Sequence, residues 1–231
     1  MSRSFKPCMD VLPAAQQGLW PLLRPVVGLG FTLYGGTAIA LRLGHRASVD
    51  FDFFSDQLLN RDAIRAAVPF VAQSATLQDH ANTWVVLVGD SENQRVKLSF
   101  FGTITFGRVG EPDFTEDGVL RVASFDDLMA TKVKVILQRA EAKDYRDIAA
   151  MLNAGVSLAR GLASARLLFG PNFQPSESLK ALTYFKDGDL STLTAAEKAT
   201  LVDATKAVRD LPEVSLISKC LQGVTRDAGM P

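Results

Sequence analysis

The sequence predicts an α+β protein: a strand-and-helix core over residues 1–107, with a mainly helical portion over residues 108–231 packed on it to complete a cleft. Three observations carry that expectation. Residues 31–54 read as strand, glycine turn, helix and strand. Residues 75–106 are rich in β-branched and aromatic side chains on either side of a polar break at 89–94. From residue 125 onward the apolar side chains recur at helical spacing.

Along the chain, Asp10 is placed to cap a short helix running to Leu19 and Trp20, and Pro21 and Pro25 then break the pattern. The apolar run Phe31-Thr32-Leu33-Tyr34 reads as a strand. It ends at Gly35-Gly36-Thr37, after which residues 38–43 are strong helix formers stopped by Gly44. Residues 49–54 alternate with a period of two, and Asn60 caps a helix carrying Ile64, Ala67 and Val68 before Pro69. Residues 84–88 and 95–101 form an antiparallel hairpin, and 111–118 a polar loop. Helices follow over 125–140 and 143–153, with three more beyond them. Gly170-Pro171-Asn172 makes a turn, Ser176-Glu177 opens one helix, and Thr194 with Glu197 has the spacing of a capping box for another. Leu179, Leu182, Tyr184, Phe185, Leu201 and Val208 read mainly as packing residues.

Lysine plus arginine number 25 and aspartate plus glutamate 25, so there is no global basic field and any nucleic-acid contact must be local. The two cysteines, Cys8 and Cys220, have no metal-ligand spacing, which with two histidines argues against a disulfide framework or structural zinc. A reducing, cytoplasmic setting is expected. The most apolar early stretch, residues 19–34, is interrupted by Pro21, Arg24 and Pro25, so a soluble protein without a membrane span or export signal is expected.

Residues 48–54 carry the sharpest local signal. Strand alternation sets Val49, Phe51 and Phe53 on one face and Ser48, Asp50 and Asp52 on the other. Residues two apart on a strand lie about 6.5 to 7 Å apart, close enough for both carboxylates to reach one hard cation such as Mg2+. The bland alternative is a solvated strand face. At Gly35-Gly36-Thr37, missing β-carbons let a ligand approach the backbone, and the N-terminus of the following helix offers free N–H donors to phosphate; a tight turn with a helix cap is the alternative. Phosphate donors followed closely by paired aspartates are what phosphoryl or nucleotidyl transfer requires. Gly28-Leu29-Gly30 lacks the remaining dinucleotide-binding spacing.

The stretch YGGTAIALRLGHRASVDFDFF, residues 34–54, resembles the AbiEii/AbiGii family of nucleotidyltransferase-like toxins. That resemblance implies a minimal nucleotidyltransferase core with a mixed β-sheet. In the wider polymerase-β-like superfamily a glycine pair and a downstream pair of aspartates form the nucleotide and metal site, which the resemblance carries to Gly35, Gly36, Asp50 and Asp52. Residues 127–139, DLMATKVKVILQR, and 143–148, KDYRDI, resemble the later lysine and Asp-x-x-Asp motifs of the family. Helical periodicity tests this block independently. Lys132 and Arg139 fall inside an apolar arc formed by Leu128, Met129, Val133, Val135 and Ile136, whereas Lys134 faces solvent. Lys132 must therefore reach a buried partner or a cleft, and is the triphosphate-binding candidate. Asp144 falls between Ile148 and Met151, Arg146 faces away and Asp147 marks the edge. Asp144 is read as an active-site residue that orients or deprotonates the acceptor, or else as an N-cap or a buried partner of Lys132 or Arg139. Many nucleotidyltransferases take a third metal carboxylate from a later core strand, but residues 96–101 offer Lys97 or Ser99 on the expected face.

The resemblance thus implies a toxin of a bacterial toxin–antitoxin or phage-defence pair. The expected reaction moves NMP from an NTP to an acceptor such as tRNA, releasing pyrophosphate. Asp50 and Asp52 would hold Mg2+ or Mn2+; Gly35, Gly36, Thr37, Ser48 and Lys132 would bind the nucleotide; an antitoxin protein would be the partner. Ser48 reads either as an acceptor hydroxyl or as a strand-end hydrogen bonder. His45 and Arg46 read as nucleotide contacts or as groups facing the helix C-terminus, and Arg42, His45, Arg46, Lys132 and Arg139 as a local strip for RNA. The second reading is a non-catalytic nucleotide-binding regulator that keeps the fold. An aspartyl-phosphate phosphatase fits poorly, because Phe53 and Phe54 stand where a small-residue turn would be needed.

Overall fold

Proline and glycine set the boundaries of the first elements in the computed structural model, which describes residues 3–89 and 95–223. A two-residue strand, β1 (Ser4–Phe5), leads into a 3-10 turn at Met9–Val11, and α1 (Ala14–Leu19) begins after Pro13. Asp10 does not cap α1: it lies in the preceding turn, and Pro13, with its fixed φ, sets the start without any side-chain cap. One short turn, α2 (Pro25–Gly28), precedes β2 (Thr32–Tyr34). The next helix, α3 (Gly35–Leu43), starts directly at the first glycine, so the glycine pair is its opening turn rather than a separate loop. Gly44 ends it in the left-handed conformation that glycine permits.

In β3 (Asp50–Phe54), Phe51 and Phe53 are buried while Asp50, Asp52 and Phe54 alternate to the other side. Val49, expected on the phenylalanine face, lies before the strand and is exposed. Asn60 accepts a hydrogen bond from the Ala63 N–H and caps α4 (Arg61–Ala67). Three strands follow as an antiparallel meander, β4 (Ala75–His80), β5 (Thr83–Val88) and β6 (Val96–Phe101). The last two are the expected hairpin; residues 90–94 of its polar break lie outside the described residues. The expected polar loop at 111–118 instead contains β7 (Asp113–Thr115), followed by β8 (Arg121–Val122). Strands this short carry no readable alternation.

Together these form one mixed eight-stranded sheet in the order β1-β7-β8-β2-β3-β6-β5-β4. The pairs β1/β7, β2/β8 and β3/β6 are parallel and the remainder antiparallel. Phe51, Phe53, Leu98, Phe100 and Trp84 are buried on one face, with Phe53 and Phe100 stacked at 5.4 Å and Trp84 and Phe100 at 5.9 Å. Each such side chain contributes about 2 to 3 kcal/mol by burial, which fixes the β3–β6 register under the site.

The helical portion opens with α5 (Phe125–Val135), capped by Ser124, whose hydroxyl accepts from the Asp127 N–H. It was expected to reach residue 140 but unwinds at Ile136 into a tight turn, with the N–H groups of Leu137 and Gln138 bonding three residues back. Then come α6 (Ala142–Asn153), α7 (Leu158–Phe169), α8 (Pro175–Ala181) and α9 (Ala195–Ala207), the last with the complete Thr194–Glu197 capping box. Leu182 and Leu201 are buried as expected, whereas Tyr184 is half exposed. After α9 the chain runs back to the sheet. Arg108 pairs with Ser218, and Leu221 is fully buried, its N–H donating to Asp56 at 3.1 Å and its carbonyl accepting from the Thr32 hydroxyl at 3.4 Å. Among the described residues no helix is long and apolar enough to cross a membrane. Cys8 and Cys220 are free thiols.

Candidate active site

Strand register places the site's floor. Asp50 lies opposite Lys97 and Asp52 opposite Ser99 across β3–β6, and on the far side of β6 Lys97 faces Leu87 and Ser99 faces Val85. Directly opposed residues share a face, so both carboxylates, Lys97, Ser99 and Val85 look into one cavity of about 400 Å3. Gly36, Thr37, Arg46, Ser48, Lys132, Arg139 and Lys143 complete its walls from α3, the segment after it, α5, the turn beyond α5 and α6.

The glycine pair is required by close approach. A β-carbon on Gly35 would stand 2.5 Å from Oδ2 of Asp52, and Gly35 has φ +74°, where L side chains are strained. A β-carbon on Gly36 would collide with the Arg46 guanidinium and crowd Asp147. Thr37 donates its hydroxyl to the Asp50 carbonyl and shares a hydrogen bond of 2.7 Å with the Ser48 hydroxyl. These two hydroxyls therefore tie α3 to the strand that carries the aspartates.

Behind the cavity, two fully buried aspartates of α6 gather four side chains from elsewhere. Asp147 accepts from Arg46 Nε at 2.6 Å and Nη2 at 2.8 Å, pairs with His45 Nε2 at 2.8 Å, and lies 2.7 Å from the Lys132 ammonium. Asp144 accepts from Lys132 Nζ at 2.6 Å and from Arg139 Nε at 2.8 Å. Burial pushes both carboxyls upward, but the Lys132 ammonium, helped by His45 and Arg46 at Asp147 and by Arg139 at Asp144, overcomes it and holds each below the usual carboxylate range. At Arg46, burial is outweighed in turn by the Asp147 carboxylate, and the guanidinium is held above its usual range.

Asp52 behaves in the opposite way. Burial raises its pKa and dominates over the Ser99 hydroxyl and the Lys97 charge, which oppose the shift. Asp50 has a single ion-pair partner among the described residues, Lys97 Nζ at 2.9 Å from Oδ2. An enclosed carboxylate short of compensating charge, beside a second one on the same face, suits a hard divalent cation with oxygen ligands. Asp50 and Asp52 are the residues that could hold it. Among the described residues, no group of three or more His, Cys, Asp and Glu side chains forms a metal cluster.

Sequence reasoning placed Gly36, Thr37, Ser48, Asp50, Asp52 and Lys132 at one site, and all six line the cavity. Gly35 borders it through Asp52, and Asp144 sits behind Lys132 rather than in the lining. Of the readings held open for Asp144, the geometry favours the buried partner of Lys132 and Arg139 over a group that deprotonates an acceptor. Asp147, placed at a helix edge, is fully buried, because His45, Arg46 and Lys132 converge on it from other elements. His45 and Arg46 therefore serve Asp147 rather than a helix C-terminus. Arg42 does not join the basic strip: it pairs with Asp113 at 2.8 Å between the rings of Phe5 and Phe125. Lys143, Gln78, Val85 and Phe101 were missed. Only the hairpin register and the fold of α6 bring them in, and no local spacing signals it.

Three similarities bear on this arrangement. A protein of Aquifex aeolicus (strain VF5) with no described function is 28% identical over 171 residues, covering 71% of this chain and 80% of that protein. The MenT4 nucleotidyltransferase toxin of Mycobacterium tuberculosis H37Rv superposes with a TM-score of 0.57 at 13% identity, covering 84% of each chain, and so shares the fold. Over residues 22–213 the sequence matches the family described as nucleotidyl transferase AbiEii toxin, Type IV TA system. That span contains the whole site from Gly35 to Asp147, and the chain belongs to the AbiEii nucleotidyltransferase toxin family.

Proposed function

We propose that this chain is a toxin that transfers a nucleoside monophosphate from an NTP to a hydroxyl of an RNA acceptor such as tRNA, with release of pyrophosphate. The observation that carries the reading is the pairing of Asp50 and Asp52 on the floor of a cavity whose walls bear Arg46, Lys132, Arg139 and Lys143. A polyanion with a reactive phosphorus is the ligand that such a combination suits.

In this reading Asp50 and Asp52 hold Mg2+ or Mn2+, which when bound supplies Lewis-acid charge at the phosphate. Lys132 and Arg139 offset triphosphate charge from positions fixed by Asp144, and Lys132 and Arg46 are fixed by Asp147. In the same reading the N–H groups of the first turn of α3, which have no partner within the helix, donate to that anion, and Gly36 lines the cavity. Thr37 and Ser48 brace α3 on β3 so that those donors keep their position. The acceptor oxygen forms a bond to the α-phosphorus, the α–β phosphoanhydride bond breaks, pyrophosphate leaves with the electron pair, and the hydroxyl proton passes to solvent. Arg139 and Lys143, each with a side chain nearly half exposed, stand where an RNA backbone would approach. Membership of a Type IV TA family supports an antitoxin protein as partner, and in this reading the two meet in the cytoplasm.

The test is transfer of label from each α-phosphate-labelled NTP to bulk bacterial RNA with Mg2+, comparing wild type with Asp52→Asn. Label on a discrete RNA, lost in the variant, is the expected result. One observation favours a second reading, a nucleotide-binding regulator without turnover: β6 presents Lys97 and Ser99 in place of an acid. NTP binding by calorimetry with no transfer to any acceptor would favour that reading.

A further inference from the structure

Lys97 occupies a position in the floor that the proposed reaction has not yet used. It is the register partner of Asp50 across the parallel β3–β6 pair, and its ammonium lies 2.9 Å from Oδ2 of that carboxylate. Both side chains are about one third exposed, 37% for Lys97 and 32% for Asp50, so the pair lies on the cavity surface. The next register pair sets Ser99 against Asp52. Strand β6 therefore offers the site one cation and one hydroxyl where a third acidic ligand would have to stand for a second divalent ion to be bridged. Among the described residues, the only acidic oxygens lining the cavity are those of Asp50 and Asp52. Asp144 and Asp147 cannot substitute, since their oxygens are taken by Lys132, Arg139, Arg46 and His45.

We propose that Lys97 limits the site to one divalent cation and supplies the second positive charge itself. Before the ion binds, the ammonium neutralises Asp50 and competes for its oxygen. With the ion on Asp50 and Asp52, the same ammonium repels a second ion and stays beside the phosphate as a fixed charge. No proton or covalent bond changes hands at Lys97. The inference rests on the nucleotidyltransferase reading for the identity of the phosphate ligand, but the number of ions bound is measured without turnover.

The experiment titrates Mn2+ into the full chain, alone and with a non-hydrolysable α,β-methylene NTP, reading free Mn2+ by electron paramagnetic resonance and heat by calorimetry. Wild type binds one Mn2+. Lys97→Met and Lys97→Gln still bind one, about fivefold more tightly in the absence of nucleotide, the size of one partly exposed ion pair removed. Lys97→Glu binds two with nucleotide present. In the transfer assay Lys97→Met turns over about 100-fold more slowly, opposite in direction to its tighter ion binding. Two ions or none in wild type, unchanged or weaker Mn2+ affinity in both Lys97→Met and Lys97→Gln, or a single ion in Lys97→Glu would each overturn the proposal. A failure of the transferase reading is distinct: it shows as no labelled product, with the ion counts as stated.

Discussion

Four aspartates surround one cavity, and two of them are chemically the reverse of the other two. Asp144 and Asp147, on α6, are fully buried, yet surrounding cations hold them below the usual carboxylate range. Asp52, on β3, is pushed upward from its ordinary value by burial, and Asp50 has one partly exposed lysine as its ion-pair partner among the described residues. The helical pair is the deeper, yet it is the one held low, so partners rather than depth set the direction. The helical pair has all of its oxygens engaged and works as a holder of cations. The strand pair retains free oxygen and uncompensated charge, which is the condition for binding a cation that comes from outside.

The largest effect that would sharpen this contrast is on activity. Asp52→Asn should lower transfer at least about 1,000-fold, as loss of a charge that positions a catalytic ion does, while thermal melting shows the fold unchanged or slightly stabilised. A loss of stability comparable to that of a helical variant would break the contrast. Asp147→Ala should destabilise the fold by about 3 to 5 kcal/mol, since it strands Arg46 without its carboxylate and leaves Lys132 with Asp144 alone; denaturant unfolding measures it. Because the folded pKa values of Asp144 and Asp147 are depressed, their stabilisation is complete above the unfolded carboxylate value of about 3.9 and is lost as pH falls through the folded ones. The stability gap between wild type and Asp147→Ala should therefore be constant near neutrality and narrow below about pH 4, as followed by melts across that range. Smallest is Lys143→Ala. Its partner Glu141 is on the surface, so stability should change by less than about 1 kcal/mol, while the salt dependence of RNA binding loses about one counterion.

The strand pair was legible in the sequence and the helical pair only partly so, for a physical reason. Alternation over five residues places Asp50 and Asp52 on one face whatever packs nearby, and the glycines and Thr37 precede them by a single helix. A helical wheel locates Lys132 and Asp144 on a buried arc, but Asp147 lies at the boundary, where the partners decide. Those partners, His45 and Arg46, are about a hundred residues away. The same distance hides the sheet's far edge: β1 and β7 have two and three residues, and they pair across more than a hundred positions. The early stop of α5 at Val135 was also unreadable, since Ile136 and Leu137 continue a good helical pattern; the turn that replaces it brings Arg139 back to Asp144.

The buried Leu221 has a consequence for how this protein is made. Its N–H and carbonyl close on Asp56 and Thr32, which were synthesised 165 and 189 residues earlier. Until Leu221 has left the ribosome, the Thr32 end of β2 lacks that seal, although every residue lining the cavity precedes it in the chain. Completion of the fold therefore waits for Leu221, and a product terminated before residue 221 lacks that buried side chain. Ribosome-bound chains arrested at Leu221 should accordingly be more readily cleaved by protease than the same chains after release.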